Sequence, residues 1–342
     1  MRIALDAMGG DKAPDVIIAG ALDSLDHLDP EDELILVGPE DTVNQHMSCP
    51  RRYRSRVHIV HAPDVIAMDE PPVDSLRKKP KSSIGILAKL GKTKEADAVI
   101  SAGNTGACVA AFQMRMRTLP NVSRPGIAAT IPSFGGPVTV CDVGANIACK
   151  PIHLYQYSVM ASIQAKNMLG IDSPRIGIMS IGQEESKGNE IVKKARDLIK
   201  SDSNLNFVGN IEGRDILNGV CDVVVCEGFV GNVMLKLTEG TVAGLFKAIK
   251  HELMQEKLGL GLALKFKPVM KRIYQKYDYN EYGGAPLLGV NGTAFICHGS
   301  SVERTIKNAV LIAKKQHTLK INDKIMDSLS HSSVGTSDAQ TN

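Results

Sequence analysis

Tryptophan is absent from these 342 residues and only 4% are aromatic, so the rings needed to stack nucleobases are missing. The formal charge of +3 is too small to suggest a polyanionic partner, and no nucleic acid is expected. Also missing are a Walker G-x-x-x-x-G-K-[ST], a G-x-G-x-x-G after the first apolar run, an H-E-x-x-H and a G-x-S-x-G. Those gaps weigh against P-loop, dinucleotide, zinc-hydrolase and serine-hydrolase chemistry. The seven cysteines form no C-x-x-C pair and lie mostly in apolar runs, and the nine histidines have no ligand-like spacing. Neither a metal nor disulfides are expected, and the thiols read as reduced, buried side chains of a cytoplasmic protein. No apolar run is long enough to span a bilayer, and nothing resembles a signal peptide or an internal repeat.

What is present is 43% hydrophobic residues, ample for a large core, arranged in a recurring cycle. Six times a short β-branched or apolar run ends in a cluster of Gly, Asn, Asp and Ser: Arg2–Asp11, Ala98–Gly106, Val138–Asn146, Ile176–Asn189, Phe207–Arg214 and Val223–Asn232. Between such runs lie helical patterns, as in Pro14–Leu25 and in Ile84–Leu90 with Ser82 or Ser83 as cap. This alternation predicts a three-layer α/β/α fold with a mainly parallel sheet. One hairpin is expected, Ile127–Ile131 with Val138–Cys141. The pattern reads as a single domain over 1–326 with a helical excursion near 233–280, and 327–342 as a disordered polar tail.

Strand ends of this kind are expected to converge on one polar site rich in free N–H groups, suited to an anion. Only the loop 182–189 carries a lysine between its glycines, and Lys187 is either a phosphate-binding ammonium or a solvated charge beside Glu184 and Glu185. Asn232 follows Glu227-Gly228-Phe229-Val230-Gly231 and either caps the next helix or donates to a developing oxyanion. Cys226 is either a nucleophile or packing, the latter being the commoner use of a thiol in an apolar run. His298, before Gly299-Ser300-Ser301, is the histidine kept as a site candidate.

Between Lys247 and Lys276 eight Lys or Arg oppose two Glu, a local charge of +6 around an apolar middle. Leu258, Leu260, Leu262, Leu264 and Phe266, with Lys265, Lys267, Lys271 and Arg272, form an amphipathic basic element. It suits an anionic bilayer or an acidic partner, and the bland alternative is a surface helix with a core stripe. Gly259 and Gly261 weaken the purely structural reading.

The ordered set Asp6-Ala7-Met8-Gly9-Gly10-Asp11, Ser101-Ala102-Gly103-Asn104-Thr105-Gly106-Ala107, Asp142-Val143-Gly144-Ala145-Asn146, Lys187-Gly188-Asn189, Gly228-Phe229-Val230-Gly231-Asn232-Val233, Tyr282-Gly283-Gly284-Ala285 and His298-Gly299-Ser300-Ser301 resembles the phosphate acyltransferases of bacterial phospholipid synthesis. The resemblance spans residues 2–301. It implies a fold similar to isocitrate and isopropylmalate dehydrogenases and to phosphotransacetylases, a homodimer, peripheral membrane attachment, and no metal or organic cofactor. It also implies formation of acyl phosphate from acyl-(acyl-carrier protein) and inorganic phosphate, with Lys187 and Asn232 catalytic. Phosphate or pantetheine would meet the loops bearing Asp6, Gly9, Gly10, Ser101, Gly103, Asn104, Thr105, Gly106, Asp142, Asn146, Asn189 and His298. Glu227 stands where the family usually has Asp. Two rival readings share part of this pattern, a phosphotransacetylase-like enzyme on the same fold and a noncatalytic membrane-associated protein that binds acyl carrier protein.

Overall fold

The computed structural model describes residues 1–255, 260–277 and 279–331. Its strands are β1 (Arg2–Asp6), β2 (Glu33–Gly38), β3 (Val57–His61), β4 (Ala98–Ser101), β5 (Gly126–Ser133), β6 (Gly136–Cys141), β7 (Arg175–Met179), β8 (Asn206–Ile211), β9 (Val223–Val225), β10 (Ala285–Leu288) and β11 (Thr293–Ile296). They form one sheet in the order β3-β2-β1-β4-β11-β10-β5-β6-β9-β7-β8. Crossover helices account for the parallel pairings on both flanks. The expected β5–β6 hairpin is there, pairing Ala128 with Cys141 through to Ser133 with Gly136. A second hairpin, β10–β11, was not anticipated, because each of its strands is only four residues long.

Sheet direction changes in the middle. The antiparallel pairings are β11–β10, β10–β5 and β5–β6, so β1 to β5 and β11 run one way and β6 to β10 run the other. The polar strand ends therefore leave the sheet at two opposite edges. Loops after β1, β4 and β11 leave one edge, and loops after β6, β7, β8 and β9 leave the opposite one. Twist of about 20° per strand accumulates to roughly 100° over the five pairings between β4 and β9, which turns the two loop sets toward a common groove.

Alternation across β1 shows how the layers form. Ile3 and Leu5 pack with Ile17, Ile18 and Ala21 of helix Asp15–Ser24 and with Ile306, Val310 and Ala313 of helix Glu303–Thr318. Ala4, on the other face, joins Leu87 and Ala88 of helix Ser83–Thr93 and Phe112 of helix Thr105–Met116. Strands buried on both faces read as continuous apolar runs, which is why they were legible. Ser82 caps its helix by accepting from the Gly85 amide at 3.2 Å.

Two boundaries differ from expectation. The tail does not begin at 327: helix Ile321–Ser330 buries Ile321, Ile325 and Leu329 against the core. Their i, i+4, i+8 spacing is a helical stripe that the polar residues between them mask. Residues 332–342 lie outside the described residues. The excursion consists of helices Gly228–Gln255 and Leu260–Tyr277, the second containing Gly261 and Pro268. Leu258 and Gly259 fall outside the described residues, as do the side chains of Leu260, Leu262, Leu264 and Lys265. Within the described part Phe266, Val269 and Ile273 are exposed on one helical face, beside Lys267, Lys271 and Arg272. No described helix is long and apolar enough to cross a membrane.

Candidate active site

A cleft of about 440 Å³ lies over the central strands, where the two loop sets meet. Its floor is apolar, with Ile127 and Ala129 of β5 and Ile296 of β11. One set of loops brings Asp11, Thr105, Gly106, His298 and Gly299, and the other brings Gly144 and Asn232. A depression of similar size beside His27, Leu311 and Thr318 lacks convergent free groups, since its Lys314 is paired with Asp29 and Asp32.

Most predicted loop residues build the walls rather than face the cleft. Asp6 is fully buried and braces two loops, accepting from the Ser101 hydroxyl at 2.8 Å and the Met8 amide at 3.1 Å. Burial pushes its carboxyl up, opposed by the hydrogen bonds from Ser83, Ser101 and Met8. The Gly103 amide returns to the Ser101 oxygen at 3.0 Å. Gly9 packs on the Asp6 carboxylate and Gly103, while Gly10 packs against the Gly299 carbonyl. Asn104 caps helix Thr105–Met116 through the Ala107 amide at 3.0 Å and donates to the carbonyls of Ala67, Met68 and Glu70. The side chains of Asp6, Ser101 and Asn104 are thus engaged in holding these loops together. What this edge leaves open is the N-terminal end of the helix itself, at Thr105 and Gly106.

Asp142 plays the same part on the other edge. It is fully buried and accepts from the amides of Asn146 (2.7 Å), Ala145 (2.9 Å), Ile127 (3.0 Å) and Gly144 (3.1 Å). Burial pushes this carboxyl up as well, and the four amides pull it back. Asn146 spends its carboxamide on the Pro125 carbonyl and the Tyr157 hydroxyl. Asn189 caps helix Glu190–Ser201 through the Val192 amide at 2.9 Å.

Asn232 differs from all of these. The capping reading is overturned, because its helix already begins at Gly228 and is capped by Glu227, whose carboxylate accepts from the amides of Phe229 (3.1 Å) and Val230 (3.3 Å). The first turn presses on the 142–146 loop so closely that a Cβ on Gly231 would lie 1.9 Å from the Asp142 carbonyl oxygen. That approach, open only to glycine, sets Asn232 beside Gly144 on the cleft wall. Its carboxamide has no hydrogen-bond partner among the described residues.

One and two turns further along, the same helix face brings Lys236 and Glu239 into the cleft. Neither was singled out from the sequence, although counting i+4 and i+7 from Asn232 points to both. Lys236 Nζ lies 3.3 Å from His298 Nε2, and His298 Nδ1 lies 2.7 Å from the Ser300 hydroxyl. Burial pushes the Glu239 carboxyl up, with His298 and Lys236 acting against it. Lys187 is not among the residues lining the cleft. It is exposed on the loop after β7, next to β9 in the sheet, and forms no ion pair among the described residues, since Glu185 is taken by Lys200. Cys226 is packing: it is buried, its Sγ lies 3.5 Å from the Asp142 carbonyl, and burial raises its thiol well above the usual range. Among the described residues no group of three or more His, Cys, Asp or Glu is placed to hold a metal ion.

Comparison with known proteins adds the chemistry. A model of the family described as fatty acid synthesis protein matches residues 1–324. A phosphate acyltransferase of Halothermothrix orenii is 47% identical over 316 residues, 92% of this chain and 94% of that one. A phosphate acyltransferase of Brevibacillus brevis is 42% identical over 340 residues, 99% of this chain and 100% of its own. Among solved structures, a phosphotransacetylase from Streptococcus pyogenes superposes with a TM-score of 0.60 at 16% identity, over 93% of this chain and 94% of that one, a likeness of fold alone.

Proposed function

The chain belongs to the fatty acid synthesis protein family and is an acyltransferase acting on phosphate, and we propose that it makes acyl phosphate from acyl-(acyl-carrier protein) and inorganic phosphate. A phosphate oxygen attacks the thioester carbonyl carbon, the carbonyl oxygen becomes an oxyanion, and the C–S bond breaks. The proton carried by the phosphate ends on the departing pantetheine sulfur. A thiolate leaves readily, so the site needs donors and positive charge more than a strong acid.

The observation that carries this reading is the unengaged Asn232 carboxamide on the wall of the cleft, in contrast to Asn104 and Asn146, whose carboxamides are spent on loop scaffolding. In this proposal Asn232 donates to the oxyanion. Lys187, unpaired on the loop of the adjacent strand, neutralises the negative charge that gathers as phosphate and thioester meet. The apolar floor suits the start of an acyl chain. Palmitoyl-(acyl-carrier protein) with phosphate should yield acyl phosphate, and Lys187→Ala should lower turnover about a hundredfold in a folded protein, as loss of a transition-state donor does. Near-normal turnover would remove Lys187 from its role.

The proposal extends to location and assembly. Phe266, Val269 and Ile273 beside Lys267, Lys271 and Arg272 support contact with an anionic membrane surface or with the carrier protein. Phe266→Glu with Ile273→Glu should abolish sedimentation with anionic vesicles while soluble turnover persists, and collapse of turnover instead would favour the carrier protein. Phe229, Val233 and Leu237, exposed at successive i+4 positions of helix Gly228–Gln255, support burial against a second copy in a homodimer, which sedimentation velocity would read directly.

A further inference from the structure

His298 and Lys236 present two hydrogen-bond donors to each other with no acceptor between them. The Ser300 backbone amide donates to His298 Nδ1 at 3.2 Å. An amide can only donate, so Nδ1 is the nitrogen with the free lone pair, and the Ser300 hydroxyl at 2.7 Å is oriented to donate to it as well. The ring proton is therefore on Nε2. That N–H faces the Lys236 ammonium, which has donors and no lone pair, at a separation of 3.3 Å. Neither group satisfies the other. Both line the cleft that contains Asn232 and the open amide end of helix Thr105–Met116, Thr105 and Gly106. Two carboxylates, Asp11 and Glu239, share the lining, so the pair is not part of a uniformly basic surface.

We propose that Lys236 and His298 form the seat of inorganic phosphate, one oxygen accepting from both Nζ and Nε2–H while the others turn toward the helix end and Asn232. The assignment rests on the reading that this cleft handles phosphate, and it gives binding and chemistry to separate groups. Lys236 and His298 hold the nucleophile, and Asn232 meets the charge that develops on the carbonyl. Ser300 is a positioning residue that acts by choosing the tautomer.

The test is titration of the whole protein with inorganic phosphate in the absence of any acyl donor, followed by calorimetry. Lys236→Ala and His298→Ala should each weaken phosphate binding about tenfold or more, as loss of a hydrogen bond to a charged group does. His298→Gln, which keeps a donor near the Nε2 position, and Lys236→Arg should restore most of it. In turnover, KM for phosphate should rise in the alanine variants while KM for the acyl donor stays. A readout without substitution is acylation of Lys236 by an amine-reactive reagent, which phosphate should suppress. Unchanged phosphate affinity in both folded alanine variants, or equal labelling of Lys236 with and without phosphate, would overturn the proposal. Binding that follows these variants in a protein that makes no acyl phosphate would leave the seat standing and remove the proposed reaction.

Discussion

Asn104 and Asn232 look alike in the sequence, each closing a glycine-containing loop between an apolar run and a helical pattern, yet the structure gives them opposite fates. Asn104 sits just outside its helix, where one carboxamide caps the first turn and ties three carbonyls of the 67–70 loop. Asn232 sits inside its helix, released from capping by Glu227 and presented to the cleft. The difference is where the helix starts. A cap is consumed by the backbone, and a residue one turn in is free for a ligand.

The scaffold side of this comparison breaks hardest at Asp142. Asp142→Ala takes the acceptor from four amides, that of Ile127 buried and those of Gly144, Ala145 and Asn146 partly buried, and at about 1–3 kcal/mol for a buried unsatisfied group a loss of about 3 kcal/mol is expected in denaturant unfolding. A loss under about 1 kcal/mol would mean that the loop holds itself. The functional side predicts the reverse for Asn232→Ala, with stability nearly unchanged and turnover lower by about a hundredfold, or about 3 kcal/mol in the barrier. Equal losses of stability and turnover would make Asn232 another scaffold residue. Asn104→Ala should cost about 2 kcal/mol of stability through the lost cap and carbonyl ties, with activity of the protein that remains folded largely kept.

The smallest effect concerns the loop that Asn104 ties down. Glu70 accepts from the Ala67 amide and from Lys79, and the Lys79 ammonium is the main cause that holds its carboxyl at about 2 against an ordinary 4.5. A lowered acid stabilises the fold fully above its ordinary value and loses that contribution as pH falls toward the folded one. Melting curves of the wild type and Lys79→Met should therefore differ most above pH 4.5 and converge near pH 2. A gap that widens on acidification would refute the linkage.

Much of this is legible in the amino-acid sequence. Runs such as Ile3–Leu5 and Val223–Val225 are apolar because both of their faces are covered, and the glycine and asparagine clusters after them mark where the backbone turns. Lys236 and Glu239 were missed for a physical reason: their importance comes from sharing a helix face with Asn232, and an exposed Lys or Glu on a helix is ordinarily solvated.

The sequence by itself determined most of the strands, though not β10 and β11, together with the β5–β6 hairpin, the polar loops and the family, since each depends on local pattern or on residues read in order. Tertiary structure alone decided the rest. The reversal of direction at β10, β5 and β6 sends the loops to opposite edges, and the twist of the sheet turns both sets toward one cleft. The same folding turns Asp6 and Asp142 inward, because a carboxylate at a strand end satisfies whichever amides the backbone brings to it. Which donors remain without a partner is a property of the assembled surfaces, and no single segment of the chain contains it.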